Sequence, residues 1–218
     1  MRQTHFHRLT GEKLDNMSME DIFVEIKSGA CVVYPTSTLP ALRCIPNPKS
    51  LDRLYRIKER DFSKPVSIGV VDLQQASEIA EVPSVVYEII RHFPSGSLTI
   101  ILKSKTKLDD RLGGRNVALR VVSNPIAKKL LNEVGPLTAT SANLSGFEPA
   151  KNCDEAAKIL NSGAYTVLRL GGECGGGMPS TLIAWHTVCD APNSPYIEVV
   201  REGKVSRKDV LDWWRKRI

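Results

Sequence analysis

Short apolar runs, each closed by proline, glycine or a polar loop, alternate irregularly along this chain with segments of helical spacing. Residues 30–34, Ala30-Cys31-Val32-Val33-Tyr34, form a continuous apolar run cut by Pro35, the signature of a buried strand. Further strands are expected at 66–71, 98–102, 117–122, 137–139, 165–170, 181–185 and 196–201. Helices separate them. Ser18 with Asp21 opens one that carries Ile22, Phe23 and Ile26 and stops at Gly29. Residues 49–58 place Leu51, Leu54, Tyr55 and Ile57 on one stripe, and segments 73–80 and 85–92 are broken at Pro83. Ser123-Asn124-Pro125 starts a helix through Leu130 and Leu131, 154–160 is another, and Ser206 with Asp209 caps a last one bearing Val210, Leu211, Trp213 and Trp214. Such interleaving predicts an α/β domain built on a curved, mixed sheet. It excludes a Rossmann fold, because no G-x-G-x-x-G opens a helix after the first strand, and no P-loop is present.

A length of 218 residues with 42% hydrophobic content suits one domain with a sizeable core. Three parts are expected: an irregular segment 1–17 whose His5 and His7 are mobile rather than metal-bound, a catalytic domain over 18–203, and a C-terminal helix in 204–218. The net charge of +6 fits nucleic acid, nucleotide phosphates or a solvated surface, of which the last is the commonest reading of such dispersed charges, and the Arg215-Lys216-Arg217 cluster does not choose among them. Cys31, Cys44, Cys153, Cys174 and Cys189 are scattered without a C-x-x-C pair, which reads as structural thiols in a reducing compartment. No apolar run approaches the roughly 20 residues of a membrane span, so a cytoplasmic protein without a membrane partner is expected.

Four segments put polar groups where a strand ends. Tyr34-Pro35-Thr36-Ser37-Thr38-Leu39-Pro40 fixes hydroxyls between two prolines, either as a rigid self-capping loop or as a ligand loop beyond a strand's carboxyl end. Lys58, Arg60 and Lys64 lie within seven residues at a helix end, suiting the helix dipole or a polyphosphate. The run 137–146 carries an apolar strand into a loop of hydroxyls and an amide, where small side chains admit a ligand. Residues 171–177 hold five glycines, which either free backbone N–H groups for an anion or make a flexible loop. Arg120 stands on an otherwise apolar strand and needs a ligand carboxylate or a neighbouring acid. No Ser/His/Asp order, H-E-x-x-H or paired acid is evident, and His92 and His186 read as ordinary helix and strand residues. Cations, hydroxyls and amides suit positioning and charge neutralisation better than nucleophilic catalysis.

Taken in order, these segments resemble the YrdC-like family of threonylcarbamoyl-AMP synthases over roughly 18–203. Pro35-Thr36-Ser37-Thr38-Leu39-Pro40-Ala41-Leu42 is similar to the family's opening Pro-Thr-Glu-Thr-Val-Tyr-Gly-Leu. Ile57-Lys58-Glu59-Arg60, Gly96-Ser97-Leu98-Thr99, Leu119-Arg120 to Pro125, Ser141 to Gly146, Gly171-Gly172 with Ser180-Thr181-Leu182, and Arg201-Glu202-Gly203 follow. The resemblance implies a single domain whose curved mixed sheet, flanked by helices, surrounds a central cavity. It implies a synthase that makes threonylcarbamoyl-AMP and pyrophosphate from L-threonine, bicarbonate and ATP, with Mg2+, for N6-threonylcarbamoyladenosine in tRNA. Lys58, Arg60, Ser141 and Asn143 match the family's catalytic tetrad. Arg60, Lys64, Asn116, Ser141, Asn143 and Arg201 fall at nucleotide positions, and Thr36, Thr38, Arg120, Ala139 and Ser180 at substrate positions, with Arg120 on the carboxylate. No metal ligand is identified in the chain itself.

The sequence departs from that pattern around the amino-acid pocket. Ser37 replaces an acid, Pro40 an aromatic, Ala41 and Arg43 two glycines, Ser95 and Ser97 prolines, and Gly69 a histidine common in the family. Two other readings therefore stand beside the synthase: an RNA-binding relative without synthesis, contacting tRNA or double-stranded RNA weakly, and a synthase for another amino acid or carbamoyl donor. The downstream partner implied by the first reading is the tRNA threonylcarbamoyl-transfer machinery.

Overall fold

The computed structural model describes residues 17–161, 165–186 and 196–217. The expected irregular N-terminal segment, with His5 and His7, lies outside the described residues except for Met17, and so does Cys189. Nine strands form one sheet: β1 (Cys31–Tyr34), β2 (Ala41–Arg43), β3 (Ser67–Val70), β4 (Leu98–Lys103), β5 (Asn116–Val121), β6 (Leu137–Ser141), β7 (Val167–Arg169), β8 (Thr181–Trp185) and β9 (Ile197–Arg201). Their spatial order is β7-β1-β2-β6-β3-β5-β4-β8-β9. The pairs β7–β1, β3–β5 and β4–β8 are parallel and the others antiparallel, so the sheet is mixed as expected.

Seven helices among the described residues accompany it: α1 (Met19–Lys27), α2 (Pro48–Ile57), α3 (Leu73–Ile79), α4 (Ser84–His92), α5 (Pro125–Val134), α6 (Cys153–Leu160) and α7 (Arg207–Arg215). Their starts follow from local chemistry. Ser18 and Asp21 close a reciprocal capping box on α1, Asn47 accepts from the Ser50 N–H, Asn124 accepts from the Ile126 and Ala127 N–H groups, and Ser206 accepts from the Asp209 N–H. Pro48 and Pro125 sit at helix starts, where a missing N–H is harmless.

Two points differ from the sequence reading. Residues 41–43 make a strand, β2, that its three-residue length and the flanking Pro40 and Pro46 conceal. The strand expected at 137–139 runs on to Ser141, because Ala41 pairs with Ser141 and Leu42 with Thr140.

Period-two alternation divides the sheet into two faces. Cys31, Val33, Leu42, Ile68, Val70, Leu98, Ile100, Val117, Leu119 and Ile183 face one large core shared with α2, α3, α4, α6 and α7. On the other face, Val32, Tyr34, Leu137 and Leu168 pack under α1 and α5 through Ile22, Phe23, Ile26, Ala127, Leu130 and Leu131. The rest of that second face is where the chain leaves a hollow.

Candidate functional site

Register places the hollow. Val32 pairs with Arg43, Ala41 with Ser141, Ser67 with Ala139, Gly69 with Arg120, Ile101 with Ala118, Thr99 with Leu182, and Leu182 with Arg201. All these residues therefore point to the second face. Ala41, Ser67, Ala118 and Ala139 are too small to fill the space above the strands, and a cavity of about 240 Å3 results. Arg43, Arg60, Arg120 and Arg201 line it, and none of the described residues lining it is acidic. Four cations without a protein carboxylate make this a receptor for anions.

Arg120 is held from two sides. Its guanidinium donates to the Gly96 carbonyl at 2.9 and 3.2 Å, and to the Ser37 and Thr38 hydroxyls at 3.2 and 3.3 Å. Gly96 must be glycine: φ is +75°, and a Cβ would lie 2.6 Å from the Ser123 hydroxyl. Burial, and then the charge of Arg201, lower the Arg120 pKa to about 10. Of the two partners expected for Arg120, the neighbouring acid is not found among the described residues. Thr36 binds its own loop, accepting from the Thr38 N–H at 3.0 Å and donating to the Leu39 carbonyl at 2.8 Å. It thereby holds Thr38 in place, while Thr38 itself lines the cavity.

The basic segment after α2 is shaped by its cap. The Arg60 N–H reaches the Tyr55 carbonyl (2.9 Å) and the Glu59 N–H the Arg56 carbonyl (3.2 Å), the paired bonds of a Schellman motif, with Glu59 left-handed at φ 48°. That turn sends Lys58 and Arg60 in different directions. Lys58 is buried, and its ammonium donates to the Ser141 and Asn143 carbonyls, each at 2.5 Å. The Ser145 N–H returns to the Lys58 carbonyl at 2.8 Å. Burial first, and then the charge of Arg60, pull the Lys58 pKa down to about 7. Arg60 is braced by the Lys64 and Pro65 carbonyls at 2.8 and 3.0 Å and lines the cavity. The Asn143 amide donates to the Leu144 and Phe147 carbonyls, leaving its buried Oδ1 without a partner.

The glycine-rich loop lies on the first loop. The Gly175 and Gly176 N–H groups donate to the Thr36 and Thr38 carbonyls at 3.0 and 2.7 Å. A Cβ on Gly175 would stand 2.4 Å from the Ser37 carbonyl oxygen, so glycine is required for this approach. On the far wall the Ser180 hydroxyl meets Thr99 Oγ1 at 2.8 Å, and Arg201 donates to the Ser180 carbonyl at 2.8 Å.

Of the residues singled out from sequence, Thr38, Arg60, Arg120, Ala139, Ser141, Ser180 and Arg201 share the cavity. Lys58 and Asn143 join it from behind, through the backbone that carries Ser141. Lys64 and Asn116 are exposed and do not line it, and Thr36 lines a small adjoining recess with Arg43 and Arg120. Arg43 escaped the sequence reading as a site residue, although a cation between Leu42 and Cys44 was a visible signal. Spacing could not reveal the Cys153–Cys174 approach, with sulfurs 4.0 Å apart. The described residues hold no group of three or more His, Cys, Asp or Glu able to bind a metal, and no helix among them is long and apolar enough to cross a membrane.

Comparison with known proteins agrees with the fold. The model of the Sua5/YciO/YrdC family, described as "Telomere recombination", matches residues 25–203. A putative threonylcarbamoyl-AMP synthase of Methanocaldococcus jannaschii is 36% identical over 166 residues, covering 76% of this chain and 79% of that protein. The crystal structure of P. abyssi Sua5 with L-threonine superposes with a TM-score of 0.76 at 24% identity; the match covers 90% of this chain and 58% of that one, and supports the fold. Escherichia coli YciO superposes with a TM-score of 0.71 at 28% identity, covering 88% of this chain and 94% of that one.

Proposed function

Because the chain belongs to the Sua5/YciO/YrdC family, we propose that it is an L-threonylcarbamoyladenylate synthase, a nucleotidyltransferase joining ATP, bicarbonate and an L-amino acid. L-threonine, which the relatives' names specify, is the amino acid assigned. The observation that carries this reading is the convergence of four arginines on one cavity without an acidic lining residue. All of the substrates bring negative charge: a triphosphate, bicarbonate and a carboxylate.

In this reading the amine nitrogen attacks bicarbonate, water leaves, and an N-carboxylate forms. One of its oxygens then attacks the α-phosphorus of ATP, the bond to the β-phosphate oxygen breaks, and pyrophosphate departs with the electron pair. The chain's own part is positional and electrostatic. Arg120 and Thr38 receive the amino acid's carboxylate. Arg60 and Arg201, nearer the rim, take phosphate oxygens, with Arg60 pre-set by its two carbonyl braces. Ser141 and Asn143 sit where the nucleotide meets the acyl group, and Lys58 fixes the backbone between them. Lys64 and Asn116 serve as outlying nucleotide contacts on this view. Among the described residues the cavity lining offers no carboxylate to hold Mg2+, so these residues do not fit a protein-bound ion, and Mg2+ belongs to the triphosphate as part of the substrate. Residues 18–203 form the catalytic domain, with the helix in 204–218 as an addition, and the product goes to the tRNA-modifying machinery in the cytoplasm.

The test is release of pyrophosphate by the purified protein. Dependence on ATP, bicarbonate and an amino acid together supports the proposal. ATP turnover indifferent to amino acid, or none at all, overturns it.

A further inference from the structure

In the reaction described above one substrate anion, bicarbonate, has no cation assigned to it, and one cation of the cavity, Arg43, has no anion. Arg43 is the largest fully buried side chain among the described residues, at 1% exposure. Its Nε and Nη1 find no hydrogen-bond partner, and none of the described residues lining the cavity supplies a carboxylate. The guanidinium rests 4.5 Å over the Tyr34 ring, a contact that offsets only part of the cost of taking a cation out of water. Its place is set by a gap: the side chain reaches across β6 to β3, where a Cβ on Gly69 would lie 1.9 Å from Nη1. Arg43 and Gly69, two of the departures from the family pattern, thus meet in space, the arginine filling what residue 69 leaves empty. Gly69 pairs with Arg120, so the guanidinium stands about 5 Å from where the Arg120 side chain leaves its strand. The two arginines together line the cavity and the small recess beside it. Burial first, and then the charge of Arg120, press the Arg43 pKa well below its usual value.

The neighbourhood of Arg120 picks out the missing anion. With the α-carboxylate on Arg120 and Thr38, the amine, carried by the same carbon, lies in the space that Arg43 and Arg120 line together. The bicarbonate that this amine attacks must lie against it. Phosphate oxygens fall to Arg60 and Arg201 at the rim. The threonine hydroxyl is also within reach, but it is neutral and leaves a buried guanidinium without a counter-charge. Bicarbonate is a small planar anion, and its oxygens suit the charge-assisted hydrogen bonds of a guanidinium. We propose that Arg43 is the bicarbonate-binding residue of this site, holding bicarbonate beside the amine and then the N-carboxylate that replaces it. This rests on the adenylate-synthase reading and deepens it. As the N–C bond forms, the C–OH bond of bicarbonate breaks, and hydroxide leaves as water with a proton from the amine. One negative charge enters the subsite and one remains on the N-carboxylate, so Arg43 stays paired. One carboxylate oxygen then turns to the α-phosphorus while the other keeps its hydrogen bond to Arg43. The contribution is positional: the small anion is confined next to its nucleophile.

The experiment measures pyrophosphate release in carbonate-depleted buffer while bicarbonate and L-threonine are varied in turn. In parallel, NMR line broadening of carbon-13 bicarbonate reads its binding to the threonine-saturated protein without ATP. Arg43→Met, which keeps the bulk and removes the charge, should raise the bicarbonate KM at least about tenfold and leave the threonine KM within about threefold. The line broadening should be lost with it. Where Arg43→Met folds poorly, Gly69→Ala, which displaces the guanidinium and keeps its charge, should give the same selective rise. A bicarbonate KM unmoved in the variant tested, or a rise matched by the threonine KM, overturns the proposal. So does an Arg43→Met protein that loses only its preference for threonine over L-2-aminobutyrate, which lacks the hydroxyl; that result assigns Arg43 to the hydroxyl. Arg43-dependent bicarbonate binding without pyrophosphate release by the wild type removes the synthase reading and keeps the subsite. Release with a bicarbonate KM indifferent to Arg43 does the reverse.

Discussion

Replacing Gly69 by alanine adds one methyl group, and the surroundings of that methyl decide the sign of the effect. Gly69 lies within β3, and its φ is not in the left-handed region, so alanine suits the backbone. In open space the change should stabilise by about 0.5–1 kcal/mol, the usual cost of glycine inside a strand. The space is not open: the new Cβ would stand 1.9, 2.5 and 2.6 Å from Nη1, Cζ and Nη2 of Arg43. The guanidinium would have to retreat by more than 1 Å within a wall that leaves it 1% exposed. Overpacking of this kind costs about 1–3 kcal/mol, so Gly69→Ala should destabilise by about 1–2 kcal/mol overall. In an Arg43→Ala background the same methyl meets no guanidinium and should recover the 0.5–1 kcal/mol gain, making the coupling about 2 kcal/mol. Urea denaturation of the four proteins reads that cycle directly, and thermal midpoints should move by about 2–4 °C per kcal/mol. Additive effects, or a stabilised single variant, would show that Arg43 does not fill the space beside position 69.

Three further outcomes are expected. Arg60→Ala should cut ATP-dependent pyrophosphate release by about 100-fold without lowering the melting temperature appreciably, because it removes a preset phosphate donor from a partly exposed site. Glu59→Gly should stabilise by about 0.5–1 kcal/mol in urea denaturation, since Glu59 holds a left-handed φ of 48° that glycine adopts at less strain; an unchanged midpoint would argue against that strain. Lys58 titrates near 7 when folded against 10.5 for the free side chain, so between those values the unfolded chain binds the extra proton. Stability should therefore rise with pH across about 7 to 10.5, and that contribution should vanish in Lys58→Met, as paired urea titrations at several pH values will show.

Most helices and strands were legible in the sequence because their signals are local. Ser18 with Asp21, Asn124-Pro125 and Ser206 with Asp209 announce helix starts, and Thr181–Trp185 forms a strand at the expected bounds. β2 was not legible, since three residues between prolines carry too little periodicity and one of its two partner strands, the one ending at Ser141, comes from a distant segment. Lys58 and Ser141 were expected to meet, but not by a buried ammonium on backbone carbonyls, because the turn that aims Lys58 inward depends on a left-handed Glu59 with no glycine to mark it.

By itself the sequence determined the alternation of elements, the inventory of cations and hydroxyls, and the absence of an acid–base pair from its short motifs. Tertiary structure decided which of those cations share one space. Cross-strand register sets Gly69 beside Arg120, the Arg43 side chain reaches across β6 into the space that Gly69 leaves, and burial there turns two ordinary arginines into charges that lack an anion among the described residues. Charge is a property of a residue, but the absence of a counter-charge belongs to the fold.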